Sequence, residues 1–312
     1  MKNDLSNIKK SKFFLDNEEC IGIPTETVYG LAANAYSDIA VNKIYKLKKR
    51  LRSNPLIVHY SSYKMLKKDC YVNKNFFKLS SKFCPGPLTF ILKLKKNSKI
   101  SKFVTNSKNT LAIRFPNHKL TKKLLDSIDY PVAAPSANIS TKISPISKED
   151  VREEFGRNIK FILDGGRCKI GLESTIISLV NKPQILRPGG IEVEKINKVL
   201  NKSIKFLRKK NKIPSPGQDK LHYSPGIPIR MNIKDPKKGE AFMLVNKRKK
   251  SDKHYFYLSK NNNLKEIAKN LYKTLRIIKK KNYRGISVEK ILNKGLGLAI
   301  NDRLKRASKK NE

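Results

Sequence analysis

The stretch that decides the fold is Cys20-Ile21-Gly22-Ile23-Pro24-Thr25-Glu26-Thr27-Val28-Tyr29-Gly30-Leu31-Ala32. Its apolar start predicts a strand over 20–25. The strand runs into a Pro- and Thr-containing turn that ends at Gly30. Two hydroxyls and a carboxylate therefore sit together at a strand end, a position that a core does not require.

Working outward, short apolar runs alternate with amphipathic segments over the first 200 or so residues, the pattern of a mixed α/β domain. Residues 7–15 read as helix, and Ser37 is placed to cap a helix through Lys49. Leu56–Tyr60 is a short strand. Pro87–Leu94 alternates Leu88, Phe90, Leu92 and Leu94, which predicts a half-buried strand. Further strands are expected at 111–115, 132–135, 160–163, 175–180 and 184–187, and helices at 118–128, 148–155 and 192–201. From Phe206 the texture changes to a basic, Pro- and Gly-containing stretch, which reads as a linker or long functional loop. Beyond it, strand-like 241–245 and 255–258, a helix over 263–281, a strand at 285–288 and a last helix from 296 suggest a small Rossmann-like α/β unit in β-α-β-α order. That unit lacks a G-x-G-x-x-G loop. The expected division is 1–205, a linker at 206–228, and 229–312.

The chain has 312 residues, 69 Lys and Arg against 25 Asp and Glu, and a formal charge of +44. A non-catalytic RNA-binding protein would explain that charge. Only 14 of the cations are Arg, however, and the Lys excess comes with abundant Asn and Ile, as AT-rich coding produces. Basic runs at 247–250 and 279–281 are read as solvated surface. So is the final helix with Arg303, Lys305, Arg306, Lys309 and Lys310, with an approach to tRNA as the alternative. The four cysteines are far apart and form no C-x-x-C pair, so they are read as inert thiols in a reducing compartment. No signal-peptide core or membrane-spanning run is seen, and a cytoplasmic location is expected.

Several further segments combine small residues, hydroxyls and isolated cations: Lys48-Lys49-Arg50 before Asn54-Pro55-Leu56-Ile57-Val58-His59, Thr110-Leu111-Ala112-Ile113-Arg114, Ala134-Pro135-Ser136-Ala137-Asn138, Ser144-Pro145, Gly171-Leu172-Glu173-Ser174-Thr175, and Arg187-Pro188-Gly189-Gly190. Each alone is ordinary turn chemistry. Their order and spacing resemble the threonylcarbamoyl-AMP synthases with the YrdC-like fold, in the long form with a second domain. IPTETVYGLA, KKRLRSNPLIVH, TLAIRFP, APSANIS, GLEST and LRPGG match that family's signature in sequence, and SPG…HYSP and NDRLKRAS match its linker and ending. Ala32 stands where the family has Gly and Leu51 where it has Pro. Gln218-Asp219-Lys220-Leu221 departs from the usual linker.

The resemblance implies a YrdC-like mixed twisted sheet domain followed by the small α/β unit. It also implies synthesis of threonylcarbamoyl-AMP from L-threonine, bicarbonate and ATP, with Mg²⁺ assisting, for tRNA modification. A transient contact with the downstream threonylcarbamoyl transferase follows from the same source. In that family reaction the substrate itself supplies the nucleophile, which suits a chain with four His and no visible triad. By matched position, Lys48 and Arg50 are expected to act on the triphosphate. Asn54, Thr110, Ser136, Asn138, Ser144, Arg187 and the linker's Tyr223 are expected around ATP. Thr27, His59, Arg114, Ala134 and Ser174 are expected around threonine, with Arg114 on its carboxylate. Metal ligands are not assigned.

Overall fold

A computed structural model describes residues 2–206, 222–248 and 252–309. Its main sheet comprises β1 (Ile21–Ile23), β2 (Gly30–Asn34), β3 (Ile57–His59), β4 (Cys70–Tyr71), β5 (Leu88–Leu94), β6 (Thr110–Arg114), β7 (Val132–Ala133), β8 (Phe161–Ile162), β9 (Thr175–Ser178) and β10 (Gln184–Arg187). The order is β10-β9-β5-β6-β3-β7-β2-β1-β8, with β4 on the far end of β5. Parallel and antiparallel pairs are mixed.

Strand β5 departs from the half-buried expectation. Its first five residues are all buried, because the strand is central and both of its faces are covered. Phe90 and Leu92 enter the main core. Ile91 packs with Ile57, Ala112, Ile176 and Leu186 on the other face. The alternation in sequence is therefore a register of two apolar layers.

Helices α1 (Lys2–Asp16), α2 (Asp38–Lys48), α3 (Tyr63–Asp69), α4 (Lys74–Phe83), α5 (Lys102–Thr105), α6 (Lys119–Asp126), α7 (Lys148–Phe155) and α8 (Val193–Leu200) accompany this sheet. As expected, Ser37 caps α2, its hydroxyl accepting from the Ala40 amide at 3.0 Å. That helix stops at Lys49, which adopts a left-handed conformation with φ 49°. The turn sends Lys48 inward and carries Arg50 onward to the next loop.

The second sheet is all parallel, β11-β14-β12-β13, built from β11 (Ile229–Met231), β12 (Glu240–Leu244), β13 (Tyr255–Tyr257) and β14 (Gly285–Val288). Helices α9 (Leu264–Lys279) and α10 (Leu296–Ala307) belong to it. The order is thus β-β-β-α-β-α: both strands read before the helix are present, β-α-β-α left one of them out, and the short β11 gave too little apolar pattern to be read. One apolar cluster runs through both units, joining Tyr29 and Ile146 to Tyr223, Leu271 and Leu304. The departure at 218–221 lies outside the described residues.

Candidate active site

Two parallel strands, β3 and β6, end side by side, with His59 opposite Arg114 in register. The carboxyl ends of parallel strands are where open α/β sheets place ligands. Above them lies the turn that follows β1. Thr25 Oγ1 accepts from the Thr27 and Val28 amides (3.1 and 3.2 Å) and donates to the Val28 carbonyl at 2.6 Å. With the turn tied in this way, Arg114 Nη1 donates to Thr27 Oγ1 at 2.9 Å and its Nε to the Gly86 carbonyl at 3.2 Å. Its Nη2 lies 2.7 Å from Glu26 Oε1, a pair in which both side chains are buried. Burial and the Arg114 charge push the His59 imidazole well below its usual range, so the ring is neutral. Among the described residues its buried Nδ1 has no hydrogen-bond partner, as expected of a group that meets a ligand rather than a satisfied core histidine.

The Ala134–Asn138 loop lies along the start of β2. The Ala134 amide donates to the Ile57 carbonyl, and the Leu31 amide to the Pro135 carbonyl, both at 2.8 Å. Lys48 reaches beneath the loop and donates to the Ser136 and Asn138 carbonyls at 2.6 and 2.5 Å. It is 1% exposed, and burial together with the neighbouring Arg50 charge holds its ammonium well below the usual range. Arg50 donates to the Asn54 and Pro55 carbonyls at 3.1 and 3.0 Å, which turns its guanidinium toward the cavity.

The far wall is built by Gly171–Thr175 and Arg187–Gly190. Arg187 donates to the Ser174 carbonyl at 3.2 and 3.0 Å, and Ser174 Oγ lies 2.7 Å from Thr89 Oγ1. The two segments pass so closely that a Cβ at Gly189 would stand 2.4 Å from the Glu173 carbonyl oxygen, so only glycine fits. Glu173 accepts from Ser144 Oγ at 2.6 Å, from Tyr272 Oη at 2.9 and 3.0 Å, and from Arg303 Nε at 2.8 Å. Burial alone would raise its pKa. Arg303 and Arg187 outweigh that and bring the carboxyl down to about 2. His222 and Tyr223 close the remaining side.

These walls enclose a cavity of about 40 Å³. Of the residues expected from the sequence, Arg50, His59, Arg114, Ala134, Ser136, Ser174, Arg187 and Tyr223 line it. Thr27 reaches it through Arg114, Lys48 and Asn138 support its floor, and Ser144 is tied to it through Glu173. Asn54 holds Arg50. Thr110 is not brought to the cavity. It begins β6, four residues or about 13 Å from Arg114, and borders a separate hollow with Pro55 and Leu56.

Sequence reasoning placed the Glu26 carboxylate at a strand end and quoted Glu173 within its segment, but gave neither a role nor a partner. Both are buried, and a buried carboxylate needs a cation. Arg303 was read as part of a solvated face. It is instead 1% exposed and hydrogen-bonded inside, because its apolar neighbours Leu296, Ala299, Ile300, Leu304 and Ala307 turn that face of α10 into the core.

Two family models match the chain, one described as telomere recombination over residues 14–189 and one as the threonylcarbamoyl-AMP synthase C-terminal domain over 191–309. The Pyrococcus abyssi (strain GE5 / Orsay) threonylcarbamoyl-AMP synthase is 36% identical, covering 95% of this chain and 92% of its own. The Bacillus subtilis (strain 168) protein of the same name is 36% identical over 96% and 92%. The crystal structure of P. abyssi Sua5 complexed with L-threonine superposes with a TM-score of 0.88 at 34% identity, covering 96% of this chain and 94% of that one.

Proposed function

The chain belongs to the threonylcarbamoyl-AMP synthase family, and from that premise we infer that it joins L-threonine, bicarbonate and ATP into threonylcarbamoyl-AMP and pyrophosphate. The observation that carries this reading is the convergence of Arg50, His59, Arg114, Ser136, Ser174 and Arg187, drawn from five separate segments, on one cavity. A basic RNA-binding protein would have no use for such a set of buried, mutually oriented cations and hydroxyls. We take 1–205 as the catalytic unit, 206–228 as the linker and 229–312 as the second unit.

The chemistry needs no protein nucleophile. Threonine's neutral amine adds to bicarbonate with loss of water, leaving a carbamate. One carbamate oxygen attacks the α-phosphorus as the bond to the bridging oxygen of the β-phosphate breaks, and that oxygen leaves with pyrophosphate. Burial pushes the Cys20, Cys84 and Cys168 thiols up to about 12, which keeps them out of the reaction. The protein supplies position and positive charge. Arg114, with two of its five N–H groups not used by Gly86, Thr27 and Glu26, takes the threonine carboxylate. Thr27, neutral His59, Ala134 and Ser174 surround the amino acid. Arg50 and Arg187 face the phosphates, with Lys48 fixing the carbonyls of the Ser136–Asn138 loop beside them. Asn54 and Ser144 complete the nucleotide side, and Thr110, which borders the neighbouring hollow with Pro55 and Leu56, is its outermost proposed contact.

Tyr223 and His222 close one side of the cavity, and we take Tyr223 as a residue that covers bound ATP. The carboxylates in or beside the cavity, Glu26 and Glu173, are each held by an arginine, and no cluster of three or more His, Cys, Asp and Glu side chains able to hold a metal occurs among the described residues. The donors present do not fit a resident Mg²⁺. The ion comes with ATP, on phosphate oxygens and water, and no residue step depends on it.

The product is the activated intermediate for threonylcarbamoylation of tRNA, so a transient contact with the transferase follows, and surface lysines offer weak contact to tRNA. No helix among the described residues is long and apolar enough to cross a membrane, and we place the reaction in the cytoplasm. The test is pyrophosphate release from ATP with threonine and bicarbonate supplied or withheld, beside filter binding to RNA. Release that requires both co-substrates is expected. RNA retention with no threonine-dependent release would favour the binding protein.

A further inference from the structure

The second unit contributes an arginine to the electrostatics of the nucleotide site. Arg303 lies on α10, 130 residues beyond Glu173 in sequence, and its side chain is fully buried. Nε donates to Glu173 Oε2 at 2.8 Å, while Nη1 donates to the Pro188 carbonyl at 2.8 Å and to Asp302 at 2.9 Å. The guanidinium also stands 5.2 Å from the centre of the Tyr223 ring. Glu173 lines the cavity and, through its other oxygen, accepts the Ser144 hydroxyl at 2.6 Å. Tyr272 of α9 donates to the same carboxylate.

A buried carboxylate on the wall of a pocket that must admit a triphosphate is an obstacle unless its charge is cancelled. Arg187 is near but spends its Nε and Nη2 on the Ser174 carbonyl, so the direct ion pair to Glu173 is Arg303. The arrangement does more than join two units. That task is also served by Arg276 of α9, which donates to the Ile143 carbonyl at 2.8 Å and lies 3.4 Å from Glu154, and by Lys280, 2.9 Å from Glu153. Among the described residues Arg303 Nη2 has no hydrogen-bond partner.

We propose that Arg303 is a positioning residue for ATP. By neutralising Glu173 it fixes Ser144 and lets the cavity accept the polyphosphate, so that the site of this chain is complete only with its second unit in place. This rests on the adenylate-forming reading above.

The test uses the full chain and reads binding and turnover separately. Calorimetric Kd values are measured for a non-hydrolysable ATP analogue and for threonine with wild type, Arg303→Met, Arg303→Lys and Arg303→Met/Glu173→Gln, each checked for folding by circular dichroism. Arg303→Met should weaken the analogue on the order of tenfold, the value of one charge-assisted contact, and leave threonine within about twofold. Arg303→Lys restores most of the loss, and the double substitution restores it because no charge is left to cancel. A folded Arg303→Met with an unchanged analogue Kd, or with both ligands weakened alike, overturns the proposal. If Arg303→Met does not fold, the double variant decides: a near-normal analogue Kd supports the proposal, and one weakened together with threonine overturns it. The reading of the reaction fails separately, by absence of threonine-dependent pyrophosphate release from the wild type.

Discussion

Replacing Arg114 with Lys tests the assignment of the threonine carboxylate while keeping the positive charge. Arg114→Ala is expected to move in the same direction, but it would strand the buried Glu26 carboxylate 2.7 Å away, at a cost of about 3–5 kcal/mol, and so mix folding with binding. A lysine at 114 is drawn to Glu26 and loses the planar fork that can hold a second carboxylate. The substrate then forfeits one charge-assisted hydrogen bond, about 2 kcal/mol, or roughly thirtyfold in affinity. Steady-state pyrophosphate release should show the threonine KM raised by that factor, with the ATP KM within about twofold. Threonine Kd by calorimetry should move in parallel. If both KM values rise together, or if threonine binds the variant normally, Arg114 does not hold the carboxylate.

Other outcomes follow from the same geometry. Lys48→Ala/Arg50→Ala should nearly abolish pyrophosphate release in a chain whose circular dichroism is unchanged, since Lys48 holds the Ser136 and Asn138 carbonyls and Arg50 lines the cavity in which we propose the phosphates bind; near-normal turnover in the folded variant contradicts that role. Glu173 titrates at about 2 in the folded chain against an ordinary 4.5, so it stabilises the fold above the unfolded value and loses that contribution as pH falls from about 4.5 toward 2. Wild-type Tm should therefore drop more than that of Glu173→Gln over this window, and equal drops would mean the carboxylate is not held down. With a formal charge of +44, retention of RNA on filters should fall steeply between about 50 and 200 mM salt. Adenylate synthesis, which depends on buried contacts, should change little over that range.

Most of the main sheet was legible because its strands are apolar runs closed by Pro, Gly and Ser, and because Ser37 announces α2. What stayed hidden was long-range. No local signal says that β5 is covered on both faces, that β11 exists in three residues, or that Arg303 turns inward from a helix whose exposed face carries Lys305. The cations of the site could be nominated from motif order. Their partners Glu26 and Glu173 could not be paired, because Glu26 meets Arg114 and Glu173 meets Arg303 only after the chain has folded. Thr110 lies at the start of β6, at the opposite end of the strand from Arg114.

The measurement that bears most directly on the account is mass spectrometry of the purified chain incubated with ATP, Mg²⁺, threonine and ¹³C-bicarbonate. The account predicts a new adenylate that carries both threonine and one ¹³C atom, appearing in step with pyrophosphate and absent when threonine is omitted. ATP consumption that yields only ADP or AMP, with no ¹³C in a nucleotide product, would contradict it.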